Sequence, residues 1–158
     1  MLYKSFTKAV LLFAFVMISA GALRAQDLSA QIKKTITDKQ YVFTAQSYSS
    51  SSIPLQTLAV DYELRILGDS LKANLPYFGR SYTAQINVTD GGMKFTSTRF
   101  EYSAEEKKKG KWEITISPKD DRTVQKMFLV VYPDARAMLQ VQSQGREPMS
   151  FTGYLSGK

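Results

Sequence analysis

The segment Leu75-Pro76-Tyr77-Phe78-Gly79-Arg80-Ser81-Tyr82 gathers three aromatic rings and one guanidinium around a proline and a glycine. Rings beside a guanidinium make a platform for ligands. The rings stack on apolar or sugar faces, and the cation adds charge and cation–π attraction. Tyr77, Phe78, Arg80 and Tyr82 are therefore the candidate ligand-binding residues. The same composition also makes a structural corner: Pro76 ends a strand, Gly79 permits a sharp bend, and the rings plug one end of a barrel. Both readings stay open at the level of sequence.

Carboxylates are the other chemical possibility. A polysaccharide hydrolase of the carboxylate type needs two acids across a cleft, and Asp61, Glu63, Glu101 and Glu113 fall on expected strands. They sit on or beside the wet side of an alternating pattern, and a solvated face is the simpler account of them. The sequence contains no histidine and no cysteine. That excludes Ser-His-Asp and Cys-His nucleophilic sites, zinc sites built on nitrogen and sulfur and haem ligation by those residues. Asp120-Asp121 and Asp90-Gly91-Gly92 lack the ligand spacing of a calcium loop and read as turn formers. No catalytic residue, metal ligand set or cofactor is expected. Lys107-Lys108-Lys109 with Lys111 forms a basic hairpin tip that could touch phosphate or lipopolysaccharide. The preceding Glu105-Glu106 offset it, and a solvated loop that blocks edge pairing accounts for it.

The elements that must position these residues are mostly strands. Residues 27–38 read as a short helix, capped by Asp27 or Ser29, with Leu28, Ile32 and Ile36 at four-residue spacing. So short a helix is marginal alone and needs a surface to dock on. Tyr41–Tyr48 is rich in aromatic and β-branched residues and is broken by Ser49–Ser52 and Pro54. Val60, Tyr62, Leu64 and Ile66 alternate with Asp61, Glu63 and Arg65, one face dry and one wet. Gly68-Asp69 then turns the chain into Leu71, Ala73 and Leu75, giving a hairpin. Tyr82–Val88 is a further strand, ending at Thr89-Asp90-Gly91-Gly92. In Met93–Tyr102 the apolar parity changes between Phe95 and Phe100, which predicts a bulge or bend near Ser97-Thr98. The charged loop Glu105–Lys111 joins this strand to Trp112, Ile114 and Ile116 in a second hairpin. Thr123–Tyr132 is apolar on both faces at its centre, Met127–Val131, which places it centrally in the sheet or under the helix. Arg136–Ser143 and Met149–Leu155 complete the series, turned by Pro133-Asp134 and Gly145. About nine short strands at regular spacing predict an all-β fold, an antiparallel β-barrel or β-sandwich with one short N-terminal helix.

Residues 1–25 have the layout of a secretory signal peptide. Lys4 and Lys8 precede the apolar run Ala9–Ile18, and small residues follow. The run is too short to span a bilayer, which takes roughly 20 residues. Cleavage after Ala22 or after Ala25 leaves a single β-rich domain over residues 26–158. No cysteine follows the apolar run to carry a lipid, so no stable membrane anchor is expected after cleavage. The expected location is periplasmic or secreted. Of the 21 basic residues, Lys4, Lys8 and Arg24 precede Gln26, whereas all 14 acids follow it, so a mature chain starting at Gln26 carries +4. That is too mild for a dedicated nucleic-acid surface.

Several stretches together resemble the DUF4251 family of exported Bacteroidetes proteins of unknown function. They are Tyr41-Val42-Phe43-Thr44-Ala45-Gln46, Leu67-Gly68-Asp69-Ser70, Leu75 to Tyr82, Gly91-Gly92-Met93-Lys94-Phe95, Lys107 to Ile114, and Phe151-Thr152-Gly153-Tyr154. The resemblance covers about residues 30–155, and Leu-Pro-Tyr-Phe-Gly-Arg is its specific part. It implies export and one β-rich domain, and it supplies no activity and no site residues. Members with a lipoprotein cysteine differ from this chain. In a Bacteroidetes host, Asp69-Ser70-Leu71 also looks like an O-glycosylation site exposed at a hairpin turn, whereas the N-glycosylation pattern Asn87-Val88-Thr89 has no role there. The function expected is a non-enzymatic binding module for an apolar or glycan-like small molecule or a protein. A structural or envelope-assembly protein without a small ligand is the alternative, and a carboxylate hydrolase stands third. The expected partner is an unknown small ligand or envelope protein, with no nucleic acid.

Overall fold

The computed structural model describes residues 27–82 and 92–157. The expected leader and its cleavage sites lie outside these residues. So do the Tyr82–Val88 strand beyond its first residue, the Thr89-Asp90-Gly91 part of the turn that ends it, and Asn87-Val88-Thr89.

A helix α1 over residues 27–37 opens the fold. Its Ile32 and Ile36, one turn apart, are buried, while Lys34 pairs with Asp38 on the wet side. Nine strands follow among the described residues: β1 Gln40–Ser49, β2 Gln56–Leu67, β3 Ser70–Leu75, β4 Met93–Ser97, β5 Phe100–Glu106, β6 Trp112–Pro118, β7 Val124–Val131, β8 Arg136–Ser143 and β9 Met149–Gly157. All pair antiparallel in one sheet of order β4-β3-β2-β1-β9-β8-β7-β6-β5. Each strand except β4 neighbours the next in sequence, and β9 pairs with β1. The two ends of the sheet, β4 and β5, are separated only by Thr98-Arg99 and run in the same direction. One bent strand thus gives its first half to β3 and its second half to β6, and the sheet curls into a nearly closed up-and-down barrel.

The bend expected near Ser97-Thr98 is this corner, and it divides the single expected strand in two. Asp120 Oδ2 accepts the Thr98 amide at 3.1 Å, and the Lys119 amide donates to the Arg99 carbonyl at 2.7 Å. Asp121 Oδ1 accepts the amides of Thr123 and Val124 at 2.8 and 2.7 Å. Each aspartate thus closes a turn, as its composition predicts.

Leu64, Ile66, Leu71, Ala73, Leu75, Ile114, Ile116, Met127, Leu129, Leu139, Val141 and Phe151 alternate inward and are buried. Glu63, Arg65, Lys72, Lys94, Glu113 and Gln140 take the outward positions and keep contact with solvent. This is the reverse of a membrane-spanning barrel, whose apolar band faces out. Among the described residues no helix is long and apolar enough to cross a membrane. β7 lies between β6 and β8, away from the sheet ends, and its outward Phe128 and Val130 are half-buried. One expectation fails locally: Val60, placed on the dry face of β2, is 60% exposed. The β1–β2 register steps from Ala45↔Tyr62 to Ser47↔Thr57, so Leu58–Asp61 bulge opposite Gln46; Leu58 stays packed against the core, while Ala59, Val60 and Asp61 are exposed. Gln46 is also the extra residue against β9. There an added Cβ on Gly153 would overlap the Thr44 carbonyl oxygen, so only glycine fits.

The helix closes one end of the barrel. Ile36 is fully buried there, and the Tyr102 hydroxyl reaches its carbonyl at 3.4 Å. The Tyr41 and Tyr102 hydroxyls lie 3.3 Å apart, and burial followed by Tyr102 pushes the Tyr41 phenol well above its ordinary pKa. Lys33 Nζ meets Glu106 at 2.7 Å, and the Gly68 amide donates to the Lys39 carbonyl at 2.8 Å, tying the β2–β3 hairpin to the end of the helix.

Candidate functional site

The opposite rim is built from three segments distant in sequence: the serine loop 50–53 after β1, the corner 76–82 after β3, and the β8–β9 connection 144–148. Glu147 fastens them. The residue is 2% exposed, and its Oε1 accepts the Ser51 hydroxyl and, at 2.8 Å, the Ser52 amide. Oε2 accepts the Ser52 hydroxyl at 2.7 Å and the Arg80 amide at 3.1 Å. The Ser51 and Ser52 hydroxyls, then the Arg80 amide, hold this carboxyl far below the usual carboxylate range. A base so weakened does not activate a serine, and the cluster reads as a clasp rather than a nucleophilic site.

The corner is fixed on both sides of Arg80. The Glu147 amide donates to the Arg80 carbonyl at 2.9 Å, and the Tyr77 hydroxyl donates to the same oxygen at 2.6 Å. Ser81 bridges antiparallel to Arg146, and the Tyr82 amide donates to the Gly145 carbonyl at 2.8 Å. Gly79 lets the Tyr77 ring fold back: an added Cβ would lie 2.9 Å from the Tyr77 hydroxyl.

The four residues singled out from sequence therefore separate. Tyr77 is half-buried, and its ring partner is the buried Arg146, whose Cζ lies 4.7 Å from the ring centroid, not Arg80. Phe78, 48% exposed, lies against Tyr48 with centroids 4.4 Å apart and planes tilted by 31°. Arg80 is exposed, and Tyr82 is 69% exposed. Ser81 lies in an extended bridge, so Arg80 and Tyr82 flank it on one side of the chain, and the bend at Gly79 stands between them and Phe78.

The four candidate carboxylates occupy outward positions on β2, β5 and β6. Glu63 pairs with Arg65, Glu101 with Lys119 and Glu113 with Lys111, and Asp61 lies on the exposed bulge. Among the basic tip residues, Lys107 meets Glu105, and Lys111 meets Glu113 at 2.8 Å. At the hairpin turn Asp69 is exposed, Ser70 half-buried and Leu71 fully buried. A separate groove of about 480 Å³ lies along β8 and β9, lined by Gln46, Tyr132, Arg136, Met138 and Thr152, and none of the rim residues lines it.

Residues 23–155 match the family model described as Domain of unknown function (DUF4251). The chain belongs to the DUF4251 family. A solved crystal structure of a DUF4251 family protein from Bacteroides eggerthii shares the fold with a TM-score of 0.58 at 12% identity, covering 82% of this chain and 87% of that one. No curated protein matches the chain. Within this DUF4251 barrel, sequence reasoning missed Glu147, Arg146 and Tyr48. The signal for Glu147 was the serine run: a cluster of hydroxyl donors beside a strand end needs an acceptor, and Glu147 is the acid between Gly145 and Pro148.

Proposed function

We propose that this DUF4251 chain is an exported, non-enzymatic binding module that takes its ligand on the exposed face of Phe78, Arg80 and Tyr82. One observation carries the reading: two aromatic side chains stand in solvent on a corner whose backbone is pinned by the buried Glu147. Exposed rings keep their unfavourable hydration until a partner covers them, and a pinned backbone lowers the entropy cost of closing a partner onto them. The expected ligands are apolar or glycan-like, since both offer a flat face to stack.

Native mass spectrometry of the mature chain purified from its own host tests this. The expected result is added mass on the wild type that is absent from the Phe78→Ala/Tyr82→Ala double variant. No added mass on the wild type, or mass retained by the variant, overturns the assignment. The second reading, an envelope-assembly protein without a small ligand, draws on Tyr77, whose hydroxyl and ring are consumed within the fold. A stoichiometric protein co-purifying from the envelope favours it. N-terminal sequencing of the same material tests export, with Gly21-Ala22 or Arg24-Ala25 lost ahead of the first residue.

A further inference from the structure

The charges at the rim narrow the ligand class beyond the binding reading, on which the following rests. Across residues 47–55, 76–82 and 144–148 the only ionised side chains are Arg80, Arg146 and Glu147. Arg146 is buried against Tyr77. Glu147 is buried with its charge met by two hydroxyls and two amides. Arg80 is exposed, its hydrogen bonds to Tyr77 and Glu147 run through its backbone, and among the described residues its guanidinium makes no ion pair. The corner therefore offers a ligand two exposed rings and one exposed positive charge, on a backbone fixed at Arg80.

We infer that the rim selects an acidic sugar bearing one carboxylate, a uronate within an oligosaccharide. The carboxylate would meet the Arg80 guanidinium in a paired hydrogen-bond geometry, and neighbouring pyranose faces would stack on Phe78 and Tyr82. A phosphate fits less well. It carries nearly two charges and is best held by a nest of amides and hydroxyls, and the Ser51 and Ser52 hydroxyls and the Ser52 and Arg80 amides are already spent on Glu147.

The test compares uronate oligosaccharides, trigalacturonate and a glucuronate-containing trisaccharide, with their methyl esters and with a phosphorylated sugar, by isothermal titration. The ester keeps the ring and removes the charge. At least one free acid binds more tightly than its ester by about tenfold, the weight of one charge-assisted hydrogen bond, and added salt narrows the gap. Arg80→Gln brings the acid down to the ester, while Arg80→Lys recovers only part because the fork is lost. Because the clasp uses the Arg80 backbone, these variants keep the wild-type melting temperature. Equal binding of acid and ester, indifference to Arg80→Gln, preference for the phosphorylated sugar, or no binding of any uronate overturns the inference. If host-derived mass is still lost from Phe78→Ala/Tyr82→Ala in such a case, the binding reading survives and only the acid is wrong.

Discussion

The two ends of this barrel are closed by opposite means. At the helix end, apolar and aromatic groups are drawn in: Ile36 and Tyr41 are fully buried and Tyr102 turns its hydroxyl inward. At the rim a carboxylate is drawn in instead, and rings are left outside. Burying a charge is unfavourable unless it is fully hydrogen-bonded, and Glu147 meets that condition through groups that themselves belong to the corner. One end thus uses its aromatics to hold the fold, and the other uses a buried acid to hold aromatics in water. The contrast separates stability from presentation, and it can be attacked by substitution.

The wall common to both ends sets the upper limit. Gly153→Ala forces a methyl into the Thr44 carbonyl, and the expected cost exceeds about 4 kcal/mol, with little soluble protein recovered. At the helix end, Ile36→Ala removes a fully buried side chain, and urea unfolding should show a loss of about 2–5 kcal/mol. At the rim, Glu147→Gln is expected to lower the melting temperature at neutral pH by less than Ile36→Ala, with a pH signature of its own. The folded carboxyl lies below its ordinary value of 4.5, so its stabilisation is complete above that value and is lost as pH falls through the folded pKa. The wild type should therefore lose melting temperature below about pH 4.5 more steeply than the glutamine variant. If the two acid limbs run parallel, the clasp is not what secures the rim. Phe78→Ala gives up an aromatic pair with Tyr48 and should cost only about 0.5–1.5 kcal/mol while removing ligand binding. Should it unfold the protein instead, the rim is a plug like the other end and the contrast collapses. Lys33→Ala, which breaks an exposed ion pair with Glu106, should change stability by less than about 1 kcal/mol.

Local patterns in the sequence carried most of the wall. The Gly68-Asp69 turn puts Leu67 opposite Ser70, and the alternation of Trp112, Ile114 and Ile116 reads directly as an inward face. Strand order was not legible, because alternation is the same in a barrel and a sandwich. The β1–β9 ladder joins positions more than a hundred residues apart, such as Tyr41 and Gly157. Val60 kept the right parity and lost its burial to a register step that only Gln46 and its neighbours reveal. At the rim, the segment from Tyr77 to Tyr82 was found from composition, but its internal division was not. Tyr77 takes its cation from Arg146, and the hydroxyls that hold Glu147 come from 95 and 96 residues away. Hydrogen bonds of that span leave no period in a sequence.

The pairing of the last strand with the first has a consequence in time. Ladders such as β2–β3 and β5–β6 can zip as soon as their hairpins exist, but β1 has no second neighbour until β9 has been made. Contacts of such separation fold slowly, because the loop must close before they reward it. Until then the edges of β1 and β8 stand open to pair with other chains. A nascent DUF4251 chain is thus at its stickiest just before β9 arrives. The charged outward rows on β2, β3 and β6 guard the sheet through that interval, before there is an inside to protect.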